Sequence, residues 1–222
     1  MPDKAIEKLT ERTAALDAIL TRSPVIPVLV VEDAAQAVPL ARALIAGGIP
    51  VLEITLRSAA ALDAIQRIAA EVPDAVVGAG TVLNPAQFAA AQLAGAKFVI
   101  SPGATEALYY TAKDTGLPYL PAVATASEVM RAMEQGFLRA KFFPAESSGG
   151  IGALKGFGGP FPEMKFCPTG GITEANLRSY TSLPNVFAAG GSWLAPKELL
   201  QKGDWAGITA IAKKAVQIAK GQ

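Results

Sequence analysis

The sequence predicts an α/β chain of repeated strand–helix units, and three observations carry that prediction. Eight short runs rich in β-branched and aromatic residues punctuate the chain: 25–32, 51–57, 76–82, 98–103, 119–124, 139–145, 165–171 and 186–191. Their starts recur every 20 to 26 residues or so, the room needed for one strand, one helix of about ten residues and two short loops. The segments between them are Ala-rich and helical in period. Eight consecutive units with no reversal point favour closure over an open doubly wound sheet. The expected architecture is a (β/α)8 TIM barrel with an extra N-terminal helix, one domain spanning 1–222.

The elements follow in order. Residues 1–22 mix both charge signs with scattered apolar positions and read as an amphipathic helix covering the bottom of the barrel. The barrel is expected over 25–203. Its helix signal is clearest at 61–72, where Leu62, Ile65, Ile68, Ala69 and Val72 recur at steps of three and four. Thr125 or Ser127 reads as the cap of the next helix, with Glu128 in the first turn. A helix over 204–220 closes the chain.

Composition narrows the chemistry. The chain has 222 residues, 51% of them hydrophobic and 18% charged, enough for a large core. Lys and Arg number 20 against 19 Asp and Glu, a net charge of +1, which argues against an electrostatic nucleic-acid partner. There is one cysteine, Cys167, and no histidine. That excludes a Cys/His structural zinc site, an internal disulfide and every mechanism with a histidine base. No P-loop is present, and GAGTVL lacks the third glycine of a dinucleotide fingerprint. No metal and no cofactor are expected. The first residues lack the apolar core of a signal peptide, and no apolar run is long enough to span a bilayer. A cytoplasmic protein with no membrane partner is expected.

Polar residues on strands of a barrel need a reason, because the chemistry of such folds sits at the strands' C-terminal ends. Glu53, Thr55 and Arg57 alternate along the second strand and share one face, opposite Leu52, Ile54 and Leu56. Burying them is costly unless they are paired or used. The competing readings are a buried structural Glu–Arg bridge and an outward, solvated strand face, the latter disfavoured under a helix layer. Lys141 lies mid-strand among Ala140, Phe142, Phe143 and Pro144. Burial disfavours its ammonium form, and a neutral amine attacks carbonyls. The competing readings are a lysine reaching the rim or one paired with Glu53. Thr169-Gly170-Gly171 and Gly190-Gly191-Ser192 end the last two strands. Barrels often bind phosphate there through backbone N–H groups, although the glycines could merely connect strand to helix. Thr81, after Gly80, and Pro102 end strands three and four.

These parts suit one reaction class. Lys141 forms an iminium with a 2-oxo acid, Arg57 holds the adjacent carboxylate, Glu53 moves protons, and the glycine turns hold a distal phosphate. The segments LEITLR, GAGTVLN, ISPGATE, KFFPAE, KFCPTGGI and GGSW resemble the bacterial class I 2-keto-3-deoxy-6-phosphogluconate (KDPG) and 4-hydroxy-2-oxoglutarate (KHG) aldolases over residues 24 to 205. The resemblance implies a lyase releasing pyruvate from a phosphorylated keto acid. It implies Lys141 as the Schiff-base residue, Glu53 as the base and Arg57 as the carboxylate clamp. Thr81 would lie near the pyruvate moiety, Pro102 and Phe143 would line the pocket, and Thr169 would touch substrate hydroxyls. Gly170, Gly171, Gly190, Gly191 and Ser192 would bind phosphate. The resemblance also implies a homotrimer. Ala122 stands where relatives often have glycine, and SSGG follows KFFPAE where they often have Asn. An aldolase for the galactonate epimer, a barrel isomerase or epimerase, and an assembly scaffold with a vestigial site are the competing readings.

Overall fold

The computed structural model describes residues 2–222, with side chains from Glu11 onward. The chain begins with α1 (Pro2–Leu20), shorter than the expected 1–22, and Met1 lies outside the described residues. Strands and helices then alternate. They are β1 (Val25–Leu29), α2 (Ala37–Ala46), β2 (Val51–Thr55), α3 (Ala61–Glu71), β3 (Val76–Gly80), α4 (Pro85–Leu93), β4 (Val99–Ile100) and α5 (Glu106–Thr115). The second half holds β5 (Tyr119–Leu120), β6 (Ala122–Val123), α6 (Ala126–Glu134), β7 (Arg139–Phe142), α7 (Gly150–Phe157), β8 (Lys165–Pro168), α8 (Leu177–Thr181) and β9 (Ala189–Gly191). Two helices, α9 (Lys197–Lys202) and α10 (Trp205–Lys220), close the chain. The short α9 is not foreseen in the sequence reading.

All strand pairs are parallel. Six strands form a curled sheet in the order β5-β4-β3-β2-β1-β9, and three form a second in the order β6-β7-β8. The fold is α/β and barrel-like, with the expected single ladder written in two pieces. Pro121 is the reason at one seam: it has no N–H to donate, so the expected run 119–124 splits into β5 and β6. Its carbonyl is still used, accepting from the Lys141 N–H at 2.8 Å. At the other seam, isolated parallel bridges join Phe166 to Val186 and Thr169 to Gly190. Strands β4, β7 and β8 stop before Pro102-Gly103, Pro144 and Thr169-Gly170-Gly171, whereas β9 includes Gly190 and Gly191.

Alternation along the strands builds two apolar layers. Leu52 and Ile54 point outward into the larger cluster beneath the helices. Under the same layer α3 buries Ala61, Ala64, Ile65 and Ile68, whereas Leu62, expected on the buried face, is 37% exposed. The second cluster is interior: Ile26, Val51, Phe98, Ile100, Leu120, Cys167 and Ala188, with Leu16 and Leu20 of α1. Helix α1 thus covers the N-terminal end of the strands, as expected. Asp17 fixes it there, accepting two 2.7 Å hydrogen bonds from Arg139 at the start of β7. Burying Leu16 and Leu20 contributes about 1.5–3 kcal/mol each.

Candidate active site

Each inward-facing strand face changes character along its length. On β2, Val51 joins the interior apolar cluster, and Glu53 and Thr55 follow on the same face. On β7, Arg139 meets Asp17 at the floor, Lys141 follows, and Phe143 comes last. Cys167 stands in register with Lys141 on β8, and Ala122 does so on β6. The methyl of Ala122 therefore sits beside the lysine, on the side where a glycine would leave space.

Lys141 and Glu53 meet in this interior. The Nζ donates to Glu53 Oε1 at 3.2 Å, and the two residues are 5% and 1% exposed. The pairing offered by the sequence as the alternative to chemistry is present, and it is also the contact that proton transfer needs. Such a pair is weak evidence for stability, since desolvating both charges offsets their attraction. Gly80 makes room for it: a Cβ there would stand 2.2 Å from Glu53 Oε1. The space that a side chain at position 80 would take is filled by this carboxylate. The Phe143 ring lies 5.3 Å from Nζ. Burial pushes the Cys167 thiol up to about 12, although Lys141 draws it down in part, so Cys167 stays a neutral wall of the cup.

Arg57 is not on the strand, which ends at Thr55, but in the exposed turn beyond it. It remains tethered: its Nε donates to Thr55 Oγ1 at 3.1 Å, and that hydroxyl donates to the Leu29 carbonyl at 2.8 Å. The guanidinium thereby overhangs the mouth. A cleft of about 150 Å³ opens there, lined by Arg57, Phe143, Thr169, Gly170, Gly171, Gly190, Gly191 and Ser192, with Val28 and Ile172. Eight of the twelve expected site residues share it. Lys141 and Glu53 lie in the buried interior. Thr81 and Pro102, both half-buried, are not among the lining residues. Thr81 directly follows Gly80 with φ +56°, a costly conformation for a β-branched residue that recurs at functional sites.

The two glycine pairs differ in kind. Gly170 and Gly171 form a turn with φ +98° and +79°, which only glycine adopts freely. Among the described residues their N–H groups have no hydrogen-bond acceptor, so they are available to an anion. Gly190 and Gly191 instead belong to β9, and close packing requires them. A Cβ would fall 2.2 Å from Thr169 Oγ1 at the first and 1.6 Å from the Trp193 ring at the second. The sequence reading missed Val28 and Ile172, which line the cleft and whose apolar character reads as core. A larger cavity of about 450 Å³ adjoins the cleft and shares Val28, Arg57 and Ser192 with it. Thr125 is the N-cap of α6 in a capping box with Glu128, as expected. No described helix is long and apolar enough to cross a membrane.

The site thus offers an amine, a carboxylate in contact with it, a guanidinium above and a positive-φ glycine turn beside them. The protein-family comparison matches the model described as aldolase, KDPG and KHG aldolase, over residues 16–211. A 2-dehydro-3-deoxy-phosphogluconate aldolase of Pseudoalteromonas atlantica is 55% identical, across 91% of this chain and 94% of that protein. A KHG/KDPG aldolase of Escherichia coli is 52% identical, across 92% and 96%. The crystal structure of a KDPG aldolase from Legionella pneumophila, with pyruvate captured as a covalent carbinolamine intermediate, superposes with a TM-score of 0.88 at 45% identity, covering 90% of this chain and 97% of that one. With the motif residues gathered at one end of the strands and likeness of this extent, the chain belongs to the KDPG and KHG aldolase family.

Proposed function

We propose that this chain is a Schiff-base lyase. It cleaves 2-keto-3-deoxy-6-phosphogluconate reversibly to pyruvate and glyceraldehyde 3-phosphate, and 4-hydroxy-2-oxoglutarate to pyruvate and glyoxylate. The observation that carries the reading is the buried Lys141 amine in hydrogen-bond contact with Glu53, at the strand ends that bear the Gly170-Gly171 turn. Relatives at half identity or better are named for the gluconate acid, which puts that epimer before the galactonate one.

The reaction follows from the placement. Lys141 Nζ attacks the C2 carbonyl of the keto acid while Arg57 binds its carboxylate in a charge-assisted fork. Two protons pass from the nitrogen to the carbonyl oxygen through Glu53: the first makes the carbinolamine hydroxyl, and the second lets it leave as water and gives an iminium. Glu53 then takes the proton of the C4 hydroxyl. The C3–C4 bond breaks, its electron pair enters the iminium to form an enamine, and the aldehyde departs. Protonation at C3 and hydrolysis release pyruvate and restore the amine. Phe143 and Cys167 keep the amine's surroundings dry. Thr81 and Pro102 shape the pyruvate side, Thr169 meets the substrate hydroxyls, and Gly170, Gly171, Gly190, Gly191 and Ser192 hold the phosphate. No cofactor or metal enters these steps.

The finer architecture belongs to the same proposal. Residues 1–222 form one domain. The two sheets close into an eight-stranded barrel, β5 and β6 being one strand broken at Pro121, with the bridges of Phe166 and Thr169 as the closing seam. The enzyme works as a homotrimer in the cytoplasm.

The test is trapping. Incubation with pyruvate and borohydride, then proteolysis and mass spectrometry, should place a reduced pyruvate adduct on Lys141. Lys141→Ala should lose both the adduct and pyruvate release from KDPG. An unmodified Lys141 in the active wild-type enzyme rules the mechanism out.

A further inference from the structure

The anion-binding turn is braced by groups that no step above uses. Glu146 ends the KFFPAE segment, immediately after the turn that follows β7. Its N–H donates to the Gly170 carbonyl at 3.1 Å, and the Ala145 N–H donates to the Thr169 carbonyl at 2.8 Å. Its aliphatic stem lies over Gly171, where a Cβ would meet Glu146 Cγ at 2.4 Å. One oxygen of the carboxylate is met by two neighbours. The hydroxyl of Tyr180, a residue buried on α8, donates to Oε1. Asn176 Nδ2 lies 3.5 Å from the same oxygen and donates to the Gly171 carbonyl at 3.0 Å. Asn176 Oδ1 accepts from the Thr173 N–H at 2.8 Å, which closes the loop after the turn.

Two glycines at positive φ have large conformational freedom, and an anion site made of their N–H groups binds well only if that freedom is removed beforehand. Here the removal comes from one carboxylate that ties the turn to α8. We infer that Glu146 is a positioning residue for the phosphate end of the substrate, acting through Asn176 and Tyr180 on the Gly170-Gly171 turn. It thereby sets the preference of the enzyme for a phosphorylated over an unphosphorylated keto acid. The inference rests on the aldolase reading for its substrates and on the turn alone for its physics.

Steady-state kinetics on the two substrates tests it. Glu146→Ala should raise KM for KDPG about tenfold with kcat little changed, a loss of ground-state binding. KM and kcat for 4-hydroxy-2-oxoglutarate, which carries no phosphate, should stay at wild-type values. Glu146→Gln keeps the stem and an acceptor oxygen and should restore KM. Tyr180→Phe should move KM for KDPG the same way by less, which keeps the question open to decision if the alanine variant does not fold. Equal losses on both substrates would mean a merely structural role and overturn the inference. Should the wild type release pyruvate from neither substrate, the aldolase reading fails. A titration of inorganic phosphate followed by phosphorus NMR then decides: weaker binding to Glu146→Ala supports the brace, and unchanged binding refutes it.

Discussion

The two ends of the strands are built from the same alternating pattern and differ in what fills it. At the floor the inward positions are Ile26, Val51, Phe98, Ile100 and Leu120, sealed by Leu16 and Leu20 of α1. Arg139, at the same end, is matched by the two-pronged Asp17 carboxylate. At the mouth the inward positions are Glu53, Thr55, Lys141 and Thr169, with glycines between them. A floor of this kind gains free energy from every methylene it buries. A mouth of this kind gains little, because the desolvation of Lys141 and Glu53 offsets their attraction. On the proposed mechanism, the same strands therefore hold stability at one end and chemistry at the other. The comparison teaches that a polar residue two positions along from an apolar one can mark the level at which packing gives way to reaction.

The largest effect should come from the mouth. Glu53→Gln keeps the shape of the side chain and its contact with Lys141 but cannot take a proton. Pyruvate release should fall by about 10²–10⁴-fold, the usual weight of a positioned general base. The fold should persist, as circular dichroism would show. Activity within a few-fold of wild type would mean that the carboxylate is only the lysine's counter-ion, and the division between the two ends would lose its chemical half.

The floor should behave in the opposite way. Leu20 is 1% exposed and truncation leaves a cavity beneath the interior cluster. Leu20→Ala should cost about 2–5 kcal/mol in chemical denaturation. At 25 °C the surviving folded enzyme should keep its kcat and KM. A drop in kcat as large as the stability loss would show that floor and mouth are mechanically coupled.

How much of this was legible depended on whether a residue's partner lies nearby in the chain. The βα repeat, the floor helix and the pairing of Leu52 and Ile54 against Glu53 and Thr55 all follow from periodicity. So does the α6 cap, whose two partners are three residues apart. Leu62 failed because a helix's buried stripe can rotate by one residue when small alanines, here Ala61 and Ala64, carry the close packing. Gly80, Gly190 and Gly191 were noticed, but their reason was not: each makes room for a side chain from another strand or a later turn. Arg57 was placed on a strand face that stops two residues earlier. The contact between Glu146, Asn176 and Tyr180 joins positions about 30 residues apart and left no local signal.

The smallest effect sharpens the comparison, because it asks whether the mouth contributes anything to stability. Helix α6 begins at the C-terminal end of β6, on the reactive side of the sheet. Thr125 Oγ1 accepts from the Glu128 N–H at 3.3 Å, and Glu128 Oε2 accepts from the N–H groups of Ala124 and Thr125, both at 2.8 Å. Partial burial works against the Glu128 carboxylate, yet these bonds outweigh it and hold the group below the usual carboxylate range. A carboxyl depressed in the folded state stabilises above its unfolded value and loses that contribution as pH falls through the folded one. Thr125→Ala should therefore cost about 1 kcal/mol at neutral pH. Glu128→Gln should cost less, and its deficit should shrink below about pH 4 as the wild-type carboxylate takes up its proton. Denaturant midpoints of both variants across pH 3 to 7 would measure this. A deficit of Glu128→Gln that stays constant through the acid range would mean that the box works through hydrogen-bond geometry alone, with no contribution from the charge.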